Sequence, residues 1–209
     1  MISRYRPVTR CALVAELADR LAATPGTLRV GVDGAPCTEP HEMADALVEP
    51  LRELGRPAPR VSARDFWHDA SLRLEHGRED IQSYLSWLDA AAVRREVLEP
   101  VLRDGHYLPS LRDPATNRAA RTDPIAAPGG TVLIIDGTFL LGAGLPFELT
   151  VHLAMSAPAL ARHTPAADSW TLAAFAEYER TVAPIERADV VVRVDDPRHP
   201  AVRVNTEPG

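Results

Sequence analysis

LRVGVDGAPCTEPHEMADAL, residues 28–47, is the stretch whose reading decides the fold. Its first part, Leu28-Arg29-Val30-Gly31-Val32, is a short apolar run of the kind buried in a sheet, and it ends at Asp33-Gly34. After a loop, Met43, Ala46, Leu47 and Leu51 recur at helical spacing. Strand, glycine turn and helix form the frame of a phosphate-binding loop, G-x-x-x-x-G-K-[ST], whose glycines let backbone N–H groups wrap the phosphates. Gly34 holds the first position of that pattern. Glu39 stands where the second glycine belongs, Pro40 at the lysine and His41 at the Ser/Thr. The frame is kept and the residues that meet the phosphates are replaced.

Outward from this stretch, strands and helices alternate. Val8 to Ala23 carries Leu13, Val14, Leu17 and Leu21 on one face, with Thr9 as N-cap, and Pro25-Gly26 ends that helix. The helix after the loop is expected from Pro40 to Leu54, closed by Gly55. Pro59 to Ala63 reads as a second strand running into Arg64-Asp65-Phe66-Trp67. In open α/β sheets ligands sit at such carboxyl strand ends, although Phe66 and Trp67 are equally compatible with packing. Helices are expected over Glu79–Trp87 and Asp89–Leu102, and a polar excursion over His106–Ala127 carrying Arg112, Arg118 and Arg121. Thr131 to Gly137 is a continuous β-branched run ending in Asp136, the position where such folds hold a metal. Phe147–Met155 and Ala188–Val194 are further strands, and Ser169–Ile185 a helix on which Trp170, Phe175 and Tyr178 read as core. The pattern predicts an α/β fold with a mainly parallel sheet in one domain, residues 1–209, with an N-terminal helix in 1–26 and a partly ordered tail over 196–209.

The net charge of −6 gives no footprint for nucleic acid or an anionic membrane. Two cysteines, Cys11 and Cys37, make no disulfide framework, and with no export signal in the first residues a cytoplasmic location is expected. All 23 basic residues are arginine. No lysine elsewhere in the chain can replace the one missing from the loop, so phosphate recognition would fall to arginine, backbone N–H groups or a metal.

Several segments resemble the uridine kinase family of P-loop nucleoside kinases, over roughly residues 29–200. Asp33-Gly34 lie in register with the opening of the family's DG-x-x-G-x-G-K-[ST]. Val61-Ser62-Ala63-Arg64-Asp65-Phe66-Trp67 is similar to V-S-x-D-D-F-Y, and Val132 to Leu141 (VLIIDGTFLL) to V-L-[LI]-[VI]-[DE]-G-x-F-x-L. The C-terminal ERADVVV resembles the family's last strand. The resemblance implies a three-layer P-loop NTPase fold of nucleoside kinase type and phosphoryl transfer from ATP with Mg²⁺ to a nucleoside hydroxyl. It implies Asp136 as metal ligand and catalytic residue, and Asp65 as catalytic base, because the family's usual base position is Arg64. One residue along a strand is the opposite face, so Asp65 serves only where the backbone is irregular. Asp33, Gly34, Thr38, His41 and Arg162 are implied at the cofactor, with Arg180 as a further phosphate-cradling arginine, and Arg64, Phe66, Trp67, Tyr107 and Arg112 at the substrate. The partner implied is a small nucleoside or nucleotide; a homodimer is compatible with it.

The alternative is a binding module that holds a nucleoside or nucleotide without turnover, as a sensor or partner protein. Glu39 favours it: two like charges at ~4 Å repel by about 4 kcal/mol at a surface-like dielectric. A third reading makes Cys37 a thiolate activated by the following helix N-terminus, with His41 as its base or as a metal ligand beside Asp136.

Overall fold

The computed structural model describes residues 5–204. Seven strands form one sheet: β1 (Arg6–Pro7), β2 (Leu28–Gly34), β3 (Arg60–Ser62), β4 (Val132–Gly137), β5 (Leu149–Ala154), β6 (Val190–Arg193) and β7 (Ala201–Val204). Their order is β1-β7-β6-β5-β2-β4-β3. From β6 to β3 all neighbours run parallel, while β7 is antiparallel to both β6 and β1. β2 lies between β4 and β5, so the chain leaves it at the point where the strand order reverses, the place where such sheets open a crevice.

The sheet is covered on both faces, as expected for apolar parallel strands. On one face Leu13, Leu17 and Leu21 of α1 (Arg10–Ala23) and Met43, Leu47 and Leu51 of α2 (Pro40–Glu53) pack against Val30, Val32, Val132 and Ile134. On the other, Val93, Val97, Leu98 and Val101 of α3 (residues 90–103) meet Val61, Leu133 and Ile135. The alternation Val132/Leu133/Ile134/Ile135 thus feeds the two cores in turn. A third cluster joins Tyr84, Trp87 and Phe139 to α4 (Ala157–His163) and α5 (Leu172–Thr181). Gly31 admits Phe147 to the second cluster: a Cβ there would lie 2.9 Å from its ring.

Several boundaries differ from the sequence expectations for local reasons. Arg94–Leu98 in α3 widens into a π-turn. Pro100 has no N–H to offer the carbonyl of Glu96, which accepts instead from the N–H of Leu108 at 2.9 Å. The helix expected over residues 169–185 is three pieces. A 3₁₀ segment, Ala166–Thr171, leads into α5, and Pro184–Arg187 follows Ala183 with φ of 51°. The helix expected over residues 79–87 is the single turn Ile81–Leu85, capped by Asp80. The polar excursion holds two short ribbons, His106–Tyr107 with Ile125–Ala126 and Arg112–Asp113 with Arg118–Ala119. α4 has no counterpart among the expected helices. The expected tail is ordered through β7: Val202 enters the core while Arg203 stacks over the Tyr5 ring and bonds the carbonyl of Ile185. The rest of that tail, 205–209, lies outside the described residues, as do residues 1–4 of the N-terminal segment. Among the described residues no helix is long and apolar enough to cross a membrane.

Candidate functional site

The loop after β2 is folded on itself. Pro36–Thr38 makes one 3₁₀ turn, in which the N–H of Thr38 bonds the carbonyl of Ala35 (2.9 Å) and that of Glu39 the carbonyl of Pro36 (3.1 Å). The Thr38 hydroxyl also donates to Ala35 O, at 2.8 Å. Gly34 is needed for this closure, because a Cβ there would stand 2.4 Å from Thr38 Oγ1 and 3.1 Å from Leu153 Cβ. Glu39 adopts φ 56° and ψ 54°, the left-handed conformation that glycine takes without strain. Its side chain is exposed, and Pro40 begins α2 with no N–H.

Beneath the loop lies a buried polar network. Asp33, 0% exposed, ends β2. Its Oδ1 accepts from the N–H of Leu140 (2.8 Å); its Oδ2 accepts from His152 Nδ1 (2.7 Å) and from the Tyr178 hydroxyl (3.2 Å). That hydroxyl accepts in turn from the N–H of Leu141 at 3.1 Å. Phe139, between these segments, is held at φ 62°, a strained conformation for a bulky residue that such a network sustains. Burial alone would lower the pKa of His152, but its bond to Asp33 and the nearby Glu179 outweigh burial and push it up to about 9. Burial and the charge of Asp33 drive the Tyr178 phenol far up, so it remains a donor.

The His152 shift predicts a pH dependence. Its folded-state value lies above the ordinary 6.5, so the stabilisation is complete below pH 6.5 and is lost as pH rises through about 9. The loss is of order 3 kcal/mol, at about 1.4 kcal/mol per pH unit for a group this buried. Urea unfolding followed by circular dichroism should show a midpoint that falls steadily across this window; a midpoint independent of pH there would contradict the buried imidazolium.

Of the cavities bordering the loop, two are large enough for a ring-sized ligand. The inner one, about 200 Å³, is lined by the Asp33–His152–Tyr178 network and by apolar side chains of β5, α4 and α5. The outer one, about 270 Å³, is aromatic. All three tryptophans of the chain, Trp67, Trp87 and Trp170, line it with Tyr84. Their rings meet edge to face, Trp67–Trp87 at 5.1 Å, Tyr84–Trp87 at 4.8 Å and Tyr84–Trp170 at 5.1 Å. Arg64 stacks over Trp67 at 5.1 Å and stands in the lining with Arg78, Asp168 and the loop residues Pro36 and Cys37. The Trp170 Nε1 is buried without a hydrogen-bond partner. Burial and the charge of Asp168 push the Tyr84 phenol up to about 12.

At the end of β4, Asp136 is 3% exposed, and its Oδ1 accepts from Arg60 Nε at 2.6 Å. Arg60 also reaches Asp45 at 3.3 Å. The strand before Asp65 ends at Ser62, and Ala63–Phe66 turns as a 3₁₀ helix, so the strand alternation that set Asp65 on the opposite face does not apply. Burial, and then the charge of Asp136, raise the Asp65 pKa. This site does not fit Mg²⁺ well. The carboxylate expected to hold the ion is already paired with a guanidinium, and His41, at the position of the expected hydroxyl ligand, is exposed on α2. Among the described residues no three His, Cys, Asp or Glu side chains gather as a metal site.

The residues singled out from the sequence therefore separate. Asp33, Gly34 and Thr38 come together in the wall of the inner cavity, with their polar atoms engaged within the protein. Arg64 and Trp67 line the aromatic cavity. Phe66 is 0% exposed in the second core cluster, and Tyr107 is buried there too. Arg112 is bonded to Asp69 and to the carbonyl of Asn117. Arg162 and His41 are exposed, and Arg180 is paired with Glu177. Phe175 and Tyr178 are core as expected, whereas Trp170 is only partly buried. The Cys37 thiol is pushed up by burial, against the thiolate expected from a helix N-terminus. Sequence reasoning missed His152, Tyr84 and Trp87. For His152 the signal was present, a titratable group within the apolar run FELTVHLAM, which burial obliges to find a partner.

No family model and no curated protein matches the chain. Solved structures do. One described as a possible uridine kinase from Bacillus stearothermophilus is similar at TM-score 0.70 and 21% identity, over 85% of this chain and 96% of that one. A Silicibacter sp. TM1040 protein, provisionally named a fructose transport system kinase, gives TM-score 0.56 and 22% identity over 87% and 95%. The protein YGR205w gives TM-score 0.61 and 10% identity over 95% and 100%. At these identities the likeness concerns the fold alone, a three-layer α/β architecture with a mainly parallel sheet.

Proposed function

We propose that the protein is a nucleoside-binding module on a kinase-type fold, which holds its ligand without transferring phosphate. One observation carries this reading: the loop after β2 spends the N–H groups of Thr38 and Glu39 on its own carbonyls. A phosphate-binding loop works by presenting such N–H groups outward, with a lysine beside them. Here the loop is closed, the lysine position is a proline, and the candidate metal carboxylate is neutralised by Arg60. The aromatic cavity supports the ligand class. A planar base stacks on tryptophan faces at its wall, the unpaired Trp170 N–H offers a donor to a ring carbonyl, and Arg64 and Arg78 suit a polar or anionic sugar substituent.

All three tryptophans line this cavity, so their fluorescence reports its occupancy. Uridine or cytidine should quench it saturably. Trp67→Ala should weaken binding by about 1–3 kcal/mol, roughly five- to 150-fold. Unchanged fluorescence, or equal affinity in the variant, would refute the nucleoside site.

A second reading, an active kinase, is favoured by one observation. The 3₁₀ turn at Ala63–Phe66 leaves Asp65 half-buried within the field of Asp136, with its pKa raised toward the range of a general base. It requires a substitute for every phosphate-binding group the loop lacks.

A further inference from the structure

We propose that the inner cavity is a second ligand site, which takes a small uncharged molecule with an apolar body and one hydrogen-bond-accepting head, such as a ring alcohol. This does not rest on the nucleoside reading. The cavity's apolar walls come from Leu153, Met155, Leu160, Leu172 and Phe175. A cavity of about 150 Å³ with such walls suffices for benzene. The 200 Å³ here leaves room for one ring and a substituent.

His152 provides the polar end. Its ring is 4% exposed and oriented by the 2.7 Å bond from Nδ1 to Asp33. A carboxylate faces each ring nitrogen, Asp33 at Nδ1 and Glu179 at Nε2, an arrangement that favours the imidazolium and puts an N–H on Nε2. The nearest carboxylate oxygen, Glu179 Oε1, stands 3.8 Å from Nε2, beyond hydrogen-bond range, on a side chain that is 48% exposed. Nε2 is held only at ion-pair distance by this half-exposed carboxylate, and a ligand oxygen in the cavity gives it the shorter, better-aligned bond that the ion pair does not. The surrounding charges select the head group. Asp33 and Glu179 flank the imidazolium, so an anion meets two carboxylates and a cation meets the imidazolium. Asp33 already accepts three hydrogen bonds, from Leu140, His152 and Tyr178, which leaves at most one acceptor position for a ligand's own donor. A neutral hydroxyl or carbonyl oxygen fits.

The test is calorimetric titration of the full chain with phenol, cyclohexanol and benzoate. Phenol and cyclohexanol should bind at one site per chain, with benzoate weaker by about tenfold or more. Ala176→Leu puts three further carbons into the cavity lining from an exposed position on α5, where the fold tolerates them, and should weaken phenol by about tenfold or more. Trp67→Ala, in the other cavity, should leave phenol binding unchanged. No heat from phenol up to its solubility would overturn the proposal. So would binding lost in Trp67→Ala but kept in Ala176→Leu, which would place phenol in the aromatic cavity. Benzoate binding as tightly as phenol would overturn the head-group assignment.

Discussion

Replacing Asp33 by alanine is expected to lower folding stability by about 3–5 kcal/mol, the range for removing one partner of a buried ion pair. The carboxylate is the acceptor shared by His152, Tyr178 and the N–H of Leu140, which come from three separate elements. Its loss leaves a buried imidazolium with only the half-exposed Glu179, 3.8 Å away, as counter-ion, a phenol raised by burial, and an unpaired backbone donor. The variant relieves the first by giving up the His152 proton more readily, so its stability should fall much less between about pH 6.5 and about 9. Urea denaturation of both proteins at either end of that window separates the effects. A loss below about 1 kcal/mol would mean that the network is solvated and not structural. Asp33→Asn would be the milder exchange, since an amide keeps one acceptor oxygen for the donors on one side of the network, although its NH2 then faces the donor on the other.

Phe66→Ala is expected to cost about 3–5 kcal/mol, as removal of a fully buried aromatic ring does. Phe66 is 0% exposed and packs with Val61, Val93 and Leu140 in the second core cluster. Trp67→Ala, one residue on, should cost much less stability and act on ligand binding instead, because that ring stands in the cavity wall under Arg64 and Arg73. Thermal denaturation and ligand titration of the two variants give a crossed pattern. A Phe66→Ala protein of nearly unchanged melting temperature but lost ligand binding would reverse the assignment of the two rings.

That pair also marks how far the sequence is legible. The architecture is written in the alternation of apolar strands with amphipathic helices. Leu28–Val32, Val132–Ile135 and Leu13/Leu17/Leu21 all occupy the core their pattern assigns them. Residue 66 or 67 as core is decided by a 3₁₀ turn at Ala63–Phe66, which no periodicity announces. The same turn redirects Asp65. The inner network joins residues more than a hundred positions apart, Asp33 to His152 and Tyr178, and each alone reads as an isolated polar group. The aromatic cavity draws Trp67, Tyr84, Trp87 and Trp170 from short segments whose helical pattern is weak. β7 was hidden because Ala201–Val204 is short and flanked by polar and proline residues, and its pairing depends on β6 and β1 supplying both neighbours.

The loop at residues 34–41 is where sequence and geometry agree most closely. Glu39 takes the left-handed conformation of the glycine expected at its position, yet the turn it closes offers its N–H groups to itself. Calorimetric titration of the protein with ATP and Mg²⁺, beside uridine as reference, shows whether this loop receives phosphate. Heat of binding is expected for uridine and none for ATP–Mg²⁺. Saturable ATP binding weakened by Asp136→Ala, with uridine monophosphate formed when both ligands are present, would contradict this.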